Sequence, residues 1–394
     1  MNIKERYLEK PIVTDLKEKM VFIGGPRQVG KTTLTKLIGS KNFKNPQYLN
    51  WDNREDRKNI IAESFRAEAD LLVFDELHKF KNWKNYLKGI FDKYKEKFSI
   101  LVTGSSRLDL YKKGGDSLLG RYHYYRLHPF SLAELRNIKS PQEPMRELRF
   151  SNENFQKNLK TFKNLFEFGG FPEPLLHKSK KTLRRWHNER LDRLIKEDVR
   201  DTTIIRDLSG LQILAELIEE KAAGQLSINS LREDLQVNHK TASLWVDILE
   251  QFYFHFRIYP FASNTIKSLR KEAKIYLWDW SSIMEESKRL ENIVASHLLK
   301  FIHLLKDEEG YKVDLHYLRD ISGREVDFII SIDKKPWFAV EVKNSSEEPS
   351  PWLNYYKERL KIPFLYQVVN KPNINLIRNN VNIISVERFL HGLV

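Results

Sequence analysis

The chain contains no cysteine. That absence removes disulfides, thiolate catalysis and cysteine-ligated zinc together. No apolar run approaches the roughly 20 residues needed to cross a bilayer. The opening stretch MNIKERYLEK lacks the apolar core of a signal peptide, so the expected location is the cytoplasm, with no membrane partner. No internal repeat or low-complexity segment interrupts the chain. The 11 histidines, among them His78, His123, His128 and His177, are scattered, with no pair at ligand spacing beside a carboxylate. Nor can a Ser-His-Asp arrangement be argued.

What is present points elsewhere. With 394 residues the chain is long enough for two or three domains with real cores. Its 41% hydrophobic and 12% aromatic content fits a globular protein. The net charge is +14, with a pI near 9.5. A basic balance of this size favours a polyanionic partner, and nucleic acid is the commonest.

Three textures follow one another. From about residue 18 to 136, buried-looking runs (MVFIGG, LLVFDE, SILVTGSS) alternate with longer charged segments. Short apolar strands separated by helices predict an α/β fold with a parallel sheet covered on both faces. NIKSPQEPM (137–145) reads as a linker, and about 146–265 reads as mainly helical. Strands return from about 266 to 394: KIYLWDW, DLHYLRD, EVDFIISI, WFAVEVKN and PFLYQVV. The expected domains are therefore 1–140, 146–265 and 266–394.

GPRQVGKT, with Gly25, Pro26, Arg27, Gln28, Val29, Gly30, Lys31 and Thr32, satisfies G-x-x-x-x-G-K-[ST]. It follows the apolar MVFIG and precedes the helical TTLTKLIGS, which opens at Thr32 and Thr33. In that context the backbone N–H groups wrap the phosphates of ATP, Lys31 reaches the β and γ phosphates, and Thr32 binds Mg²⁺. LLVFDE supplies the second half, with Asp75 expected to hold Mg²⁺ through water and Glu76 to polarise the attacking water. SILVTGSSR is a third buried strand ending in polar residues. Of Thr103, Ser105 and Arg107, Ser105 is the expected γ-phosphate sensor. Arg121, in LLGRYHYYRLHPFSLAEL, stands where such ATPases present an arginine finger to a neighbouring subunit, which would imply a homo-oligomer.

SINSLREDLQVNHKTASLWVDILEQ places Ile228, Leu231 and Leu235 at helical spacing, then Ala242, Trp245, Ile248, Leu249 and Phe252. Ser227 and Asn238 are suitable N-caps. Two short helices followed by the β-prone FYFHFRIYPF predict a winged helix-turn-helix. His239, Lys240, Thr241 and Ser243 would then face nucleic acid from the first turns of the second helix. KSKKTLRRWHNER (178–190) is a second basic patch.

In EVDFIISI, Val326, Phe328, Ile330 and Ile332 share one face, with Glu325 and Asp327 on the other; in WFAVEVKN, Phe338, Val340 and Val342 oppose Glu341 and Lys343. Burying both apolar faces in one hairpin requires even positions to oppose even ones. Asp327 then lies opposite Glu341, and an odd loop, Asp333 to Lys335, is expected. Two carboxylates and a lysine on one face match a PD-(D/E)XK nuclease site, where Asp327 and Glu341 would hold a divalent metal and Lys343 would orient the nucleophile. Glu291, in RLENIVASHLLKFIHLL beside the stripe Leu290, Val294, Leu298 and Leu305, is a further acidic candidate.

GPRQVGKTTL, LLVFDELHKFKNW, ILVTGSSRLDL, GRYHYYRLHPFSLAEL, FEFGGFPEPLL, RLIKEDVRD and REVDFIISIDKKPWFAVEVKNS occur here in one order. From about residue 18 to 380 the chain resembles a prokaryotic AAA+-like P-loop ATPase family. The resemblance implies a winged-helix region and a PD-(D/E)XK nuclease-like C-terminal fold; it implies no substrate. Three readings stay open: a DNA-binding ATPase, an ATP-dependent nuclease that needs metal, and a regulatory ATPase acting on a protein partner.

Overall fold

The strand Met20–Gly24 (β1) is buried at all five residues, and so is Leu71–Asp75 (β3). A strand with no polar face must be covered on both sides, which the helices between strands accomplish. The computed structural model describes residues 5–104, 118–137, 142–151, 154–199, 205, 207–262 and 272–394. Ser105 and Arg107 lie outside the described residues. The chain divides into two compact units, Met1–His128 and Pro129–Val394.

In the first unit Pro46–Asn50 (β2), Ser99–Thr103 (β4) and Tyr122–Arg126 (β5) complete a parallel sheet of order β2-β3-β4-β1-β5. Its helices among the described residues include Glu9–Asp15 (α1), Lys31–Asn42 (α2), Arg54–Ile61 (α3) and Trp83–Tyr94 (α4). β1 lies between β4 and the edge strand β5, so the turn into α2 falls at the carboxyl end of the sheet beside those of β3 and β4, where open α/β sheets bind ligands.

The second unit opens with helices Leu132–Leu135 (α5), Phe155–Phe168 (α6), Pro172–His177 (α7), Lys180–Arg193 (α8) and Leu208–Glu220 (α9). Ile228–Asp234 (α10) and His239–Gln251 (α11) follow, capped as expected: the Ser227 side chain accepts from the Ser230 N–H and Asn238 from the Thr241 N–H. Ala242, Trp245, Ile248, Leu249 and Phe252 are all buried.

An eight-stranded mixed sheet of order β12-β13-β11-β10-β9-β8-β6-β7 closes the chain. Its strands are His255–Pro260 (β6), Lys274–Leu277 (β7), Val313–Arg319 (β8), Glu325–Ile332 (β9), Lys335–Lys343 (β10), Phe364–Val369 (β11), Asn375–Arg378 (β12) and Val381–Ser385 (β13). The 22-residue helix Glu286–Asp307 (α12) buries the predicted stripe Leu290, Val294, Leu298 and Leu305. Pro351–Leu360 (α13) and Val386–His391 (α14) complete the unit.

One expectation about the β9–β10 hairpin is corrected. The loop is two residues, Asp333 and Lys334, both left-handed at φ 49° and 64°, as a primed turn between twisted strands requires. That even loop pairs Ile332 with Lys335, an odd-numbered partner. The register then shifts between Pro336 and Phe338, leaving Trp337 as the extra residue of a bulge. Beyond it Phe338 faces Ile330 and Val340 faces Phe328. The expected even parity is reached by the bulge and not by an odd loop.

Candidate functional site: the phosphate loop and an acidic sheet face

The loop between β1 and α2 is shaped for close backbone approach. Gly25 has φ 143°, and a Cβ there would lie 2.4 Å from the Leu127 carbonyl oxygen. Gly30, at the entry to α2, has φ 102°. Buried Arg6 ties the loop down by donating to the Val29 carbonyl at 2.9 Å and the His128 carbonyl at 2.6 Å. Val29 is buried, whereas Arg27 and Thr33 are exposed. Lys31 is itself buried, and its Nζ donates to the carbonyls of Gly25 at 2.9 Å and Pro26 at 2.8 Å. The ammonium therefore lies inside the curl of the loop.

Asp75, 3% exposed at the end of β3, gathers three hydroxyls. Thr32 Oγ1 donates to its Oδ2 at 2.8 Å, Tyr48 of β2 donates to the same oxygen, and Thr103 of β4 donates to Oδ1. Glu76 follows in a left-handed conformation, φ 57°, which turns its side chain out of the strand's alternation. Burial pushes the Glu76 carboxyl above the usual carboxylate range, with Lys31 opposing and Asp75 reinforcing. His78 Nε2 lies 3.5 Å from Glu76 Oε2. A hydroxyl and a carboxylate joined beside a buried ammonium suit a phosphate-bound magnesium ion: Thr32 and Asp75 supply oxygens, which this hard cation prefers.

Arg121 immediately precedes β5, and its carbonyl accepts from the Met20 N–H. Met20 begins β1 and the phosphate loop follows its far end, so Arg121 stands at the opposite edge of the sheet. Its guanidinium binds Asp92 in a fork at 2.9 and 3.2 Å, which draws the Asp92 carboxyl below its ordinary range.

The acidic residues of the second unit come together more closely than alternation alone indicated. Continuing the β9–β10 ladder sets Glu341 opposite Asp327, and the Val342 N–H donates to Asp327 Oδ2 at 2.9 Å. Glu341 is 4% exposed; Oε1 pairs with Lys343 Nζ at 2.6 Å, while the buried Oε2 has no hydrogen-bond partner. Burial first, then Asp327, pushes the Glu341 carboxyl up to about 8. Glu291, from α12, is pushed up to about 7 for the same two reasons.

Sequence reasoning missed Lys274. Its Nζ lies 2.6 Å from Glu325 Oε1, 3.1 Å from Glu291 Oε1 and 3.5 Å from Asp327 Oδ1. Tyr276 also donates to Glu291 Oε1, at 2.7 Å. Among the described residues no three His, Cys, Asp or Glu side chains are grouped to hold a metal ion. An ammonium already among the carboxylates does not fit a divalent ion there. Gln367, beside Glu341 on β11, instead holds the following loop: its Oε1 accepts from the Ser350 N–H, and its Nε2 donates to the carbonyls of Ser346 and Glu348.

At the start of α11, His239 and Lys240 are exposed, while Thr241 and Ser243 are half-buried. A cleft of about 670 Å³ lies beside them, lined in part by Ser227, Asn229, His239, Arg257 and Tyr259.

The loop, Asp75 and Glu76, at the carboxyl ends of a β2-β3-β4-β1-β5 sheet, define an AAA-type P-loop ATPase domain. Residues 17–136 match the profile of an AAA domain, while 159–285 and 287–389 match two profiles described as domains of unknown function. An uncharacterised protein of Methanocaldococcus jannaschii is 25% identical over 360 residues, covering 87% of this chain and 79% of its own length. One from Mycobacterium tuberculosis is 21% identical over 341 residues, covering 83% and 70%. Among solved structures, the ORC1 protein of Aeropyrum pernix in complex with DNA is similar at 13% identity and a TM-score of 0.36, covering 75% of this chain and 94% of that one. The RuvB Holliday junction branch migration motor of Thermotoga maritima is similar at 19% and 0.33, covering 64% and 90%. No helix among the described residues is long and apolar enough to cross a membrane.

Proposed function

We propose that this chain is a DNA-binding ATPase, in which residues 1–140 hydrolyse ATP, 146–265 bind DNA through a winged helix, and 266–394 form a nuclease-like fold that binds without cutting. The observation that carries the reading is the contact between Thr32 and Asp75, which joins the two halves of a hydrolytic phosphate site beside Lys31 and Glu76.

Lys31 would exchange its loop carbonyls for the β and γ phosphates, an exchange of neutral acceptors for charged ones that favours the bound state. Thr32 and Asp75 would hold Mg²⁺, whose charge offsets that of the phosphate oxygens. Glu76 would orient the attacking water. Its raised affinity for a proton suits a group that accepts one as the water attacks. Arg121 cannot serve its own chain's phosphates from the far edge of the sheet, so its finger role requires a neighbouring copy.

The charge of +14 supports DNA as the partner, and α11 presents His239 and Lys240 to solvent, with Thr241 and Ser243 at their base. The basic helix α8, which contains Lys180, Lys181, Arg184 and Arg185, supplies further phosphate contacts in this reading. A gel shift measured from low to high salt tests it: DNA affinity should fall steeply through counterion release. A binding that ignores salt, or that appears only with a protein partner, would favour a regulatory ATPase instead.

A nuclease is the second reading, because Asp327 and Glu341 face one another beside Lys343. Plasmid incubated with Mg²⁺ or Mn²⁺, with and without ATP, separates the two. Nicking that Asp327→Asn abolishes would establish cutting.

A further inference from the structure

A buried ammonium is costly unless its surroundings replace water. The Lys274 side chain is 5% exposed, so its position needs an explanation. Lys274 is the first residue of β7, three strands from β9 in the sheet order, yet its side chain meets Glu325 and Asp327 of β9 and Glu291 of α12. Three carboxylates from two elements thus converge on one cation.

The charge balance of the face follows from the contacts. Glu291, Glu325, Asp327 and Glu341 bring four carboxylates. Lys274, Lys343 and Arg319, the last bound to Glu325 Oε2 at 2.7 Å, bring three cations. A single negative charge remains when all are ionised. Adding a divalent ion beside Lys274 would set two cations within contact distance of the same oxygens and leave the face net positive. The ammonium and the ion, both positive, would repel one another at that distance. One acceptor is left over, the buried Glu341 Oε2, which has no partner. The other Glu341 oxygen is already held by Lys343.

We propose that Lys274 is the resident cation of this face: its ammonium takes the position a divalent metal would occupy between Glu291 and Asp327, and so keeps metal out. Without that charge, Glu291 and Asp327 lose the cation between them and, with Glu341 across the ladder from Asp327, are left to draw in a divalent ion. The face as built is a nuclease-type arrangement closed by its own side chain. This inference is independent of the ATPase and of DNA binding, since it concerns only side chains of the second unit.

The test is Mn²⁺ binding to the full nucleotide-free chain, followed by electron paramagnetic resonance. Four proteins are compared: wild type, Glu341→Gln, Lys274→Met, and the double variant. Methionine keeps the length and apolar stem of lysine without the charge. Wild type and Glu341→Gln should be indistinguishable. Lys274→Met should gain one Mn²⁺ per chain, at least roughly tenfold tighter than any wild-type site, and the double variant should lose it. Wild-type binding that Glu341→Gln removes would overturn the proposal, because metal would then coexist with Lys274. A folded Lys274→Met with no new site would overturn it as well. Lys274→Gln, which keeps a donor toward the carboxylates, serves if methionine is not tolerated. Should neither variant fold, the comparison of wild type with Glu341→Gln still decides whether metal is excluded.

Discussion

Thr32 Oγ1 donates to Asp75 Oδ2 at 2.8 Å, so the first turn of α2 and the end of β3 are joined through the very atoms that would face magnesium. Residues 43 positions apart in the chain are set to a common point by one hydroxyl and one carboxylate. Tyr48 and Thr103 hold the same carboxylate from the two flanking strands.

Lys31→Ala removes the buried ammonium and should abolish ATP hydrolysis. Glu76→Gln keeps the shape of the side chain without its charge. That variant should bind ATP with unchanged affinity and turn it over at least roughly 100-fold more slowly, the scale of a lost general base. Equilibrium binding of a fluorescent nucleotide, measured beside phosphate release, separates the two effects. Hydrolysis at the normal rate by Glu76→Gln would remove it from the water-activating role.

Arg121 and Asp92 give a test that distinguishes a finger from a surface ion pair. Exposed pairs of this kind contribute about 0.2–1 kcal/mol at most. If the pair were only structural, Arg121→Ala and Asp92→Ala should have the same small effect. We expect Arg121→Ala to lower hydrolysis roughly 1000-fold, as loss of an arginine finger does. Asp92→Ala should leave it intact. Mixing Arg121→Ala subunits with Lys31→Ala subunits should restore part of the activity, since each copy then lacks a different half of the site. The outcome against the finger is equal, minor losses in both single variants and no rescue.

Lys240 stands exposed in the first turn of α11. Lys240→Ala should weaken DNA binding alike for unrelated sequences and reduce the slope of log affinity against log salt by about 1. Asn238→Ala, which removes the cap of the same helix, should cost about 1 kcal/mol of stability in a denaturant titration. An unchanged salt slope in Lys240→Ala would place the DNA contact elsewhere.

Glu341 makes stability depend on pH in a direction opposite to an ordinary salt-bridged carboxylate. Burial and Asp327 raise its folded-state value to about 8, above that of the unfolded chain. Between the two values the folded protein holds a proton that the unfolded chain has released, so this group's contribution falls as pH rises through that window. Glu341→Gln removes the titration while keeping the volume. Its melting temperature relative to wild type should therefore be higher at pH 9 than at pH 6. A difference that is the same at both pH values would mean that Glu341 is already ionised at pH 6.

Apolar strands and short motifs were the legible part of this molecule. β1, β3, β4 and β8 to β11 announce themselves because a buried strand has to be hydrophobic. Ser227 and Asn238 were readable as caps because a helix start needs a side-chain acceptor. β2 was not readable, as its Pro46 and alternating burial resemble a loop, and Tyr48 was lost with it. The shared face of Asp327 and Glu341 was legible from parity, whereas the bulge at Trp337 was not, because an extra residue leaves no mark in composition. Lys274 was hidden for a different reason. A lysine at the start of an apolar strand ordinarily flanks it in water, whereas this one meets three carboxylates from β9 and α12.

β6 joins the rest of its sheet through two residue pairs, Tyr259 with His316 and Pro260 with Tyr317, while four pairs bind it to β7. A seam of two pairs is a weak fastening for a ribbon that continues directly from α11. Lys274, at the end of that ribbon, is one of several fastenings to β9 and α12 on the far side of the seam. Pulling on α11 therefore loads the seam together with the contacts of β7 on α12, where Asn292 binds the Leu277 backbone twice at 2.8 Å and Tyr276 donates to Glu291.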